Sequence, residues 1–209
     1  MAIIEIVFPQ LKKDLESING AKEKQPMALK TFRDAGVLGG MQGFMASVNG
    51  EDVTSDLREV LLLEWPTASV FHEFIESSTF ANFIEEIKPF AEGPPQLNLF
   101  ETNAGLPLLN SRPVLEILLM SPRNTVSEAN ILAILDKAQV DVGRADESQA
   151  LYGSSLNLPQ KKIALLRTFE SREEQHAAKS APSHHGIMKE LSSLAELTQL
   201  VAEIKQIPV

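Results

Sequence analysis

The chain has 209 residues, 44% of them hydrophobic and 22% charged, with a net charge of −9 and no cysteine. This is the balance of a globular protein with room for one large or two small domains. The acidity argues against a nucleic-acid partner, and the absence of thiols removes disulfides, thiolate nucleophiles and cysteine-based metal or iron–sulfur sites. No apolar run reaches the ~20 residues that a membrane helix needs. Met1–Phe8 is too short for a secretory signal and no basic residue precedes it. A cytoplasmic protein without a membrane partner is expected.

The first predicted element is a strand, IIEIVF at residues 3–8, ended by Pro9. Leu11 to Asp34 has helical spacing, with interruptions expected near Asn19-Gly20 and at Pro26. Residues 36–48 carry four glycines among Val, Leu, Met and Phe, which points to a bulged strand rather than a helix. Asn49-Gly50 signals a turn. REVLLLEW at 58–65 is a third strand, stopped by Pro66, and Thr67 or Ser69 can cap the helix after it. A single helix with a wide apolar stripe is predicted from Val70 to Ile87, then a break at Gly93-Pro94-Pro95 and a fourth strand at 96–101. The order β-α-β-β-α-β is the ferredoxin-like unit.

The same order recurs. Strands are predicted at 113–120, 149–156 and 161–169, and helices at 127–140 and at 172–194, the latter broken at Ala181-Pro182. Residues 197–207 read as a last strand or in part as more helix. At a shift of 104 positions Trp65 meets Phe169 and His72 meets His176, while the first strands pair Glu5 with Glu116. The division is therefore 1–104, a linker at 105–112, and 113–209. The strands are apolar on both sides, as in Val60–Leu63 and Ile117–Leu119, whereas helices in this unit cover one face only. The second face needs a partner, and a duplicated chain supplies it. The expected fold class is α+β: two ferredoxin-like repeats closed into an intrachain pseudo-dimeric α+β barrel. A compact monomer or weak homodimer follows, because the duplication already provides the partner sheet.

REVLLLEWPTASVFHEF and KKIALLRTFESREEQH resemble the dimeric α+β barrel superfamily. The first passage is similar to its antibiotic-biosynthesis-monooxygenase branch. The second is similar to its stress-responsive branch, which contains olivetolic acid cyclase, where TFES leads to an HPxH segment carrying a functional His. Counted from Thr168-Phe169-Glu170-Ser171, that segment falls on Ala181-Pro182-Ser183-His184. The resemblance thus implies a pocket histidine at His184. Ala181 replaces the first His, Ala178 stands where the cyclase has a partner tyrosine, and Phe80 is the N-terminal equivalent of His184. Haem-degrading relatives use a Trp with a His and an Asn. The first strand here has no Asn, so Trp65 reads as a core or pocket-wall residue.

The candidate catalytic residues are His184, Glu116 and Glu5. An imidazole near its working pH is a ready base, and a carboxylate inside an apolar barrel strand has its pKa raised by desolvation. The plainer reading makes these Glu residues partners of Arg58, Arg112 or Arg167. Trp65, Tyr152, His185 and His72 are candidate substrate-binding residues, against packing roles for the first two and solvated faces for the histidines. GVLGGMQG lacks the spacing of a phosphate loop, and no HxH or HxxxH pattern offers a metal site. The expectation is an enzyme without metal or organic cofactor, acting on a hydrophobic small molecule; the resemblance implies a polyketide-type substrate and oxygenation, cyclisation, decarboxylation or isomerisation. The alternative is a non-catalytic ligand-binding or stress-associated barrel protein.

Overall fold

The computed structural model describes residues 1–109, 112–123, 126–142 and 150–209, with 139–142 as backbone alone. The N-terminal half runs β1 (Ala2–Phe8), α1 (Leu15–Asp34), β2 (Gly39–Val48), a two-residue β3 (Glu51–Asp52), β4 (Glu59–Trp65), α2 (Ala68–Ile75), α3 (Ser78–Ile87) and β5 (Gln96–Thr102). The C-terminal half runs β6 (Val114–Pro122), α4 (Glu128–Val142), β7 (Leu151–Ser155), β8 (Ile163–Phe169), α5 (Arg172–Ser180), α6 (Pro182–Leu194) and β9 (Ala195–Ile207).

Among the described residues the strands follow the order β3-β2-β4-β1-β5-β7-β8-β6-β9, and β2 also pairs with β9. Eight antiparallel strands therefore close into a barrel, with β3 left outside as a hairpin extension of β2. Each half contributes a ferredoxin-like sheet, β2-β4-β1-β5 or β7-β8-β6-β9. The two meet at a long β2–β9 seam, Gly40 to Val48 against Ile207 to Leu200, and a short β5–β7 seam of three residue pairs, Phe100 to Thr102 against Ser155 to Gly153.

Alternation along the strands sorts their side chains into two layers. Ile4, Ile6, Leu62 and Phe100 from one half meet Leu115, Ile117, Leu166 and Leu200 from the other inside the barrel. Burying each such side chain is worth about 1.5–3 kcal/mol, so the halves share a core that neither could close alone. The outward residues pack under helices: Leu63, Trp65 and Leu99 against Phe32, Phe71 and Phe74, and Leu118, Met120 and Ile163 against Ile131, Leu135 and Leu191. The connection between halves joins this core, since Leu106 and Leu109 are buried in the barrel cluster. Glu64 Oε2 accepts from the Leu106 amide at 2.8 Å and the Leu109 carbonyl accepts from Thr168 Oγ1 at 2.6 Å.

Two elements depart from expectation, and a third takes the first of the two forms expected for it. Helix α1 runs unbroken through Asn19-Gly20 and Pro26. Its Ala28, Leu29 and Phe32 pack on the sheet, and that burial outweighs the ~3 kcal/mol penalty of an interior proline. Gly20 serves packing, because a Cβ there would sit 2.2 Å from the Phe90 ring. The predicted single helix at 70–87 is two, since Ser77 Oγ accepts from the Phe80 amide at 3.1 Å and starts α3 afresh. Residues 195–207 are strand throughout, held on both sides by β6 and β2. The expected start of β7 at Gln149 and the middle of the 105–112 linker lie outside the described residues. No described helix is long and apolar enough to cross a membrane.

Candidate functional site

Helices α1 and α3 stand off the outer face of the N-terminal sheet and enclose a cavity of about 1370 Å³, larger than the ~300–1,000 Å³ of ordinary ligand sites. Its floor is Val7, Leu61, Leu63 and Leu97; its walls include Phe32, Phe74, Phe80 and Phe83. The rings meet edge-on, Phe32 with Phe83 at 5.5 Å and Phe74 with Phe80 at 5.2 Å between centroids, which locks the walls. Leu15, Phe44 and Leu57 edge the opening, and Leu15 is 78% exposed.

Glu5 is the buried carboxylate on the floor of this chamber. It sits mid-strand on β1, between Leu63 of β4 and Leu99 of β5, and is 3% exposed. Trp65 Nε1 donates to its Oε2 at 2.8 Å; Oε1 has no hydrogen bond among the described residues. Burial pushes its pKa up to about 7, and the indole hydrogen bond offsets only part of that. Glu5 is therefore shared between acid and carboxylate near neutrality, with one oxygen fixed and the other free to take or give a proton.

Glu116 occupies the matching place on β6 and has the opposite environment. Arg167 pairs with it through Nε at 3.0 Å and through Nη2, and Gln175 and Gln199 donate to its Oε1 at 2.9 and 2.5 Å. Burial would raise its pKa, but Arg167, with help from Gln175, outweighs burial and holds it below the usual carboxylate value. The positions equivalent to Arg167, Gln175 and Gln199 are Leu63, Phe71 and Leu97. One half thus solvates its buried carboxylate with protein groups, whereas the other leaves it among hydrocarbon.

Glu5 is the one predicted site residue that lines the cavity; Trp65, 1% exposed, edge-on to Phe71 and tilted against Phe74, reaches it through Glu5. His184 lies in the first turn of α6, half-buried, in the C-terminal half. Its pKa is lowered by burial and by Arg167, with Glu116 opposing. His185 is exposed, its Nδ1 3.0 Å from the Ala181 carbonyl, and His72 is exposed on α2. Tyr152 is packed under α4, where its hydroxyl donates to Asp136; burial and that carboxylate push its pKa up to about 12. Phe80, the N-terminal counterpart of His184, is a cavity wall. Among the described residues no three His, Asp or Glu side chains converge as a metal site requires.

Sequence reasoning passed over a second polar group in the cavity. Gln25 of α1 donates to Gln42 Oε1 at 2.6 Å, and Gln42 Nε2 donates to Glu59 Oε1. All three line the chamber. Burial raises the Glu59 pKa, with the Gln42 bond opposing. The available signal was the two-residue period that puts Glu59 on one face with Leu61, Leu63 and Trp65.

No protein-family model and no curated protein sequence matches the chain. Solved structures share its fold. A candidate monooxygenase from Lactobacillus acidophilus NCFM aligns over 97% of this chain and 93% of its own, at TM-score 0.63 and 11% identity. An anthrone oxidase-like protein aligns over 98% and 93%, at TM-score 0.63 and 10% identity. Chlorite dismutase from Candidatus Nitrospira defluvii aligns over 99% and 91%, at TM-score 0.56 and 12% identity. What these structures share with the chain is the fold, an eight-stranded antiparallel α+β barrel, here with both ferredoxin-like sheets in one chain.

Proposed function

We propose, from the premise that this chain is a single-chain dimeric α+β barrel, that it is a cofactor-independent enzyme which moves a proton on a largely apolar small molecule in its N-terminal cavity. Glu5 is the proton-transfer group, held by Trp65. The observation that carries this reading is a carboxyl with a pKa of about 7 in an apolar chamber, the match of pKa to working pH that general acid–base catalysis favours. The base role expected of His184 passes to Glu5, because His184 does not line the cavity. A substrate with an activated C–H, such as a phenolic anthrone or a β-diketone, would lose its proton to Glu5 Oε1. The resulting carbanion then has its own reactions open to it: addition to dioxygen to give a hydroperoxide that takes its proton back from Glu5, attack on a carbonyl of the same molecule to close a ring, or reprotonation elsewhere. The monooxygenase and anthrone oxidase-like names of two structural neighbours favour the first.

The test is exchange of substrate C–H for deuterium in heavy water, followed by NMR over a panel of anthrones and cyclic β-diketones. Glu5→Gln keeps an acceptor for Trp65 and should slow exchange ~10²–10⁴-fold while leaving ligand affinity nearly unchanged. The wild-type rate should rise as pH passes through about 7. Equal rates in both proteins would remove Glu5 from the mechanism. Tight binding without wild-type exchange would favour the second reading, a ligand-binding barrel, which the placement of His184 outside the cavity supports.

A further inference from the structure

Two of the carboxyls that line the cavity are built alike, Glu5 buried and Glu59 half-buried. Each has one oxygen fixed by a neutral N–H donor, the Trp65 indole for Glu5 and the Gln42 amide for Glu59. Each second oxygen has no hydrogen bond among the described residues. A buried polar group that is only half satisfied is costly, and a ligand atom can complete it. The register separates the two. Glu5 pairs with Leu63 on β4, and Glu59 lies four residues further along that strand. At ~3.4 Å per residue and ~4.8 Å between strands, they stand about 14 Å apart. The outward strand residues between them are Leu61 and Leu63, facing Phe74, Phe80 and Phe83.

The direction of the side-chain chain decides what Glu59 can accept. Gln25 donates to Gln42, and Gln42 donates to Glu59. The capacity left at the end of that relay is an acceptor, so the matching ligand group is a donor. To the ionised carboxylate a ketone or ether oxygen has nothing to offer. An ammonium would have to leave its water shell for an apolar groove, whereas a hydroxyl sheds little.

We infer that Glu59, oriented by Gln42 and Gln25, is a second subsite that binds a hydroxyl group on the far end of an elongated apolar substrate whose reacting end sits at Glu5. This rests on the N-terminal cavity being the ligand site. The substrate class narrows to long or fused-ring molecules with an apolar middle and a hydroxyl at the end remote from the acidic C–H.

Three probes of one length test it, measured by displacement of anilinonaphthalene sulfonate: dodecanol, dodecanediol and the monomethyl ether of dodecanediol. The wild-type protein should bind dodecanediol roughly three- to tenfold more tightly than dodecanol, the worth of one net hydrogen bond. The ether, an acceptor at its far end, should show no gain. Glu59→Leu should lose the preference for the diol over dodecanol. Gln42→Ala, which frees Glu59 from its orienting amide, should weaken that preference. Circular dichroism melts of both variants confirm the fold. Dodecanol binding with no diol preference in the wild type would overturn the subsite and leave the cavity reading standing. A diol preference that survives Glu59→Leu would do the same. Failure of dodecanol itself to bind would overturn both.

Discussion

Glu5 ties stability to pH through a single proton. Its folded pKa of about 7 lies above the ordinary value of 4.5, so the folded protein holds a proton that the unfolded chain has released between those values. Stability then falls as pH rises, because the native state binds the excess proton. Below about 4.5 both states are protonated and nothing is lost; above about 7 the whole difference, on the order of 3 kcal/mol, has gone. Chemical denaturation at about pH 5 and about pH 8 should show the wild type losing that much more than Glu5→Gln, which carries no titrating group at this position. Parallel losses in the two proteins would mean that water reaches Glu5 and that its environment is not apolar. Glu116 works with the opposite sign: its depressed pKa makes its contribution present above the unfolded value and lost on acidification.

At the scale of elements, the two seams depend on glycine. Gly43 of β2 faces β9 so closely that a Cβ would lie 1.9 Å from the Glu203 carbonyl oxygen; Gly153 of β7 faces β5 with the same 1.9 Å to the Glu101 carbonyl oxygen. These are the equivalent strands of the two repeats, so the close approach is a property of the closure. Gly43→Ala or Gly153→Ala should each cost ~2–4 kcal/mol, read from urea unfolding, because backbone must move to admit the methyl. Gly39→Ala, with nothing within 4 Å, is the control and should cost little. Residues 36–48 were readable as a bulged strand from their glycines, and the register shift between Met45 and Ser47 is that bulge. What Gly43 touches was not readable, since its neighbour lies about 160 positions away. The α2–α3 break hid for a different reason: the apolar stripe continues across it, and only Ser77 marks the restart. The site was half legible. Glu5 and Glu116 stood out as charges at matching places in apolar strands. Which of them is neutralised depends on Leu63 against Arg167, a pair that the repeat shift of 104 already aligned. His184 drew attention through a family motif, while the cavity opened in the other half.

For the whole molecule, closure through two seams predicts a monomer of 23.0 kDa in multi-angle light scattering, with no edge of the eight-stranded barrel left to recruit a second copy. Residues 1–104 and 113–209 expressed apart should aggregate or stay partly unfolded, and should recover native circular dichroism when mixed, because Ile4, Ile6, Leu115 and Ile117 meet only in the closed barrel. Two well-folded, monomeric halves that ignore each other would contradict the shared core. The unlike surroundings of Glu5 and Glu116 have a consequence for descent as well as for chemistry. A homodimer writes every substitution twice, so an arginine that stiffens one sheet must also block the pocket of the other. A single chain that carries both sheets is free of that constraint. Here the C-terminal sheet anchors its buried acid with an ion pair and amides, while the N-terminal sheet holds a buried acid that the protein leaves half solvated, for something else to complete.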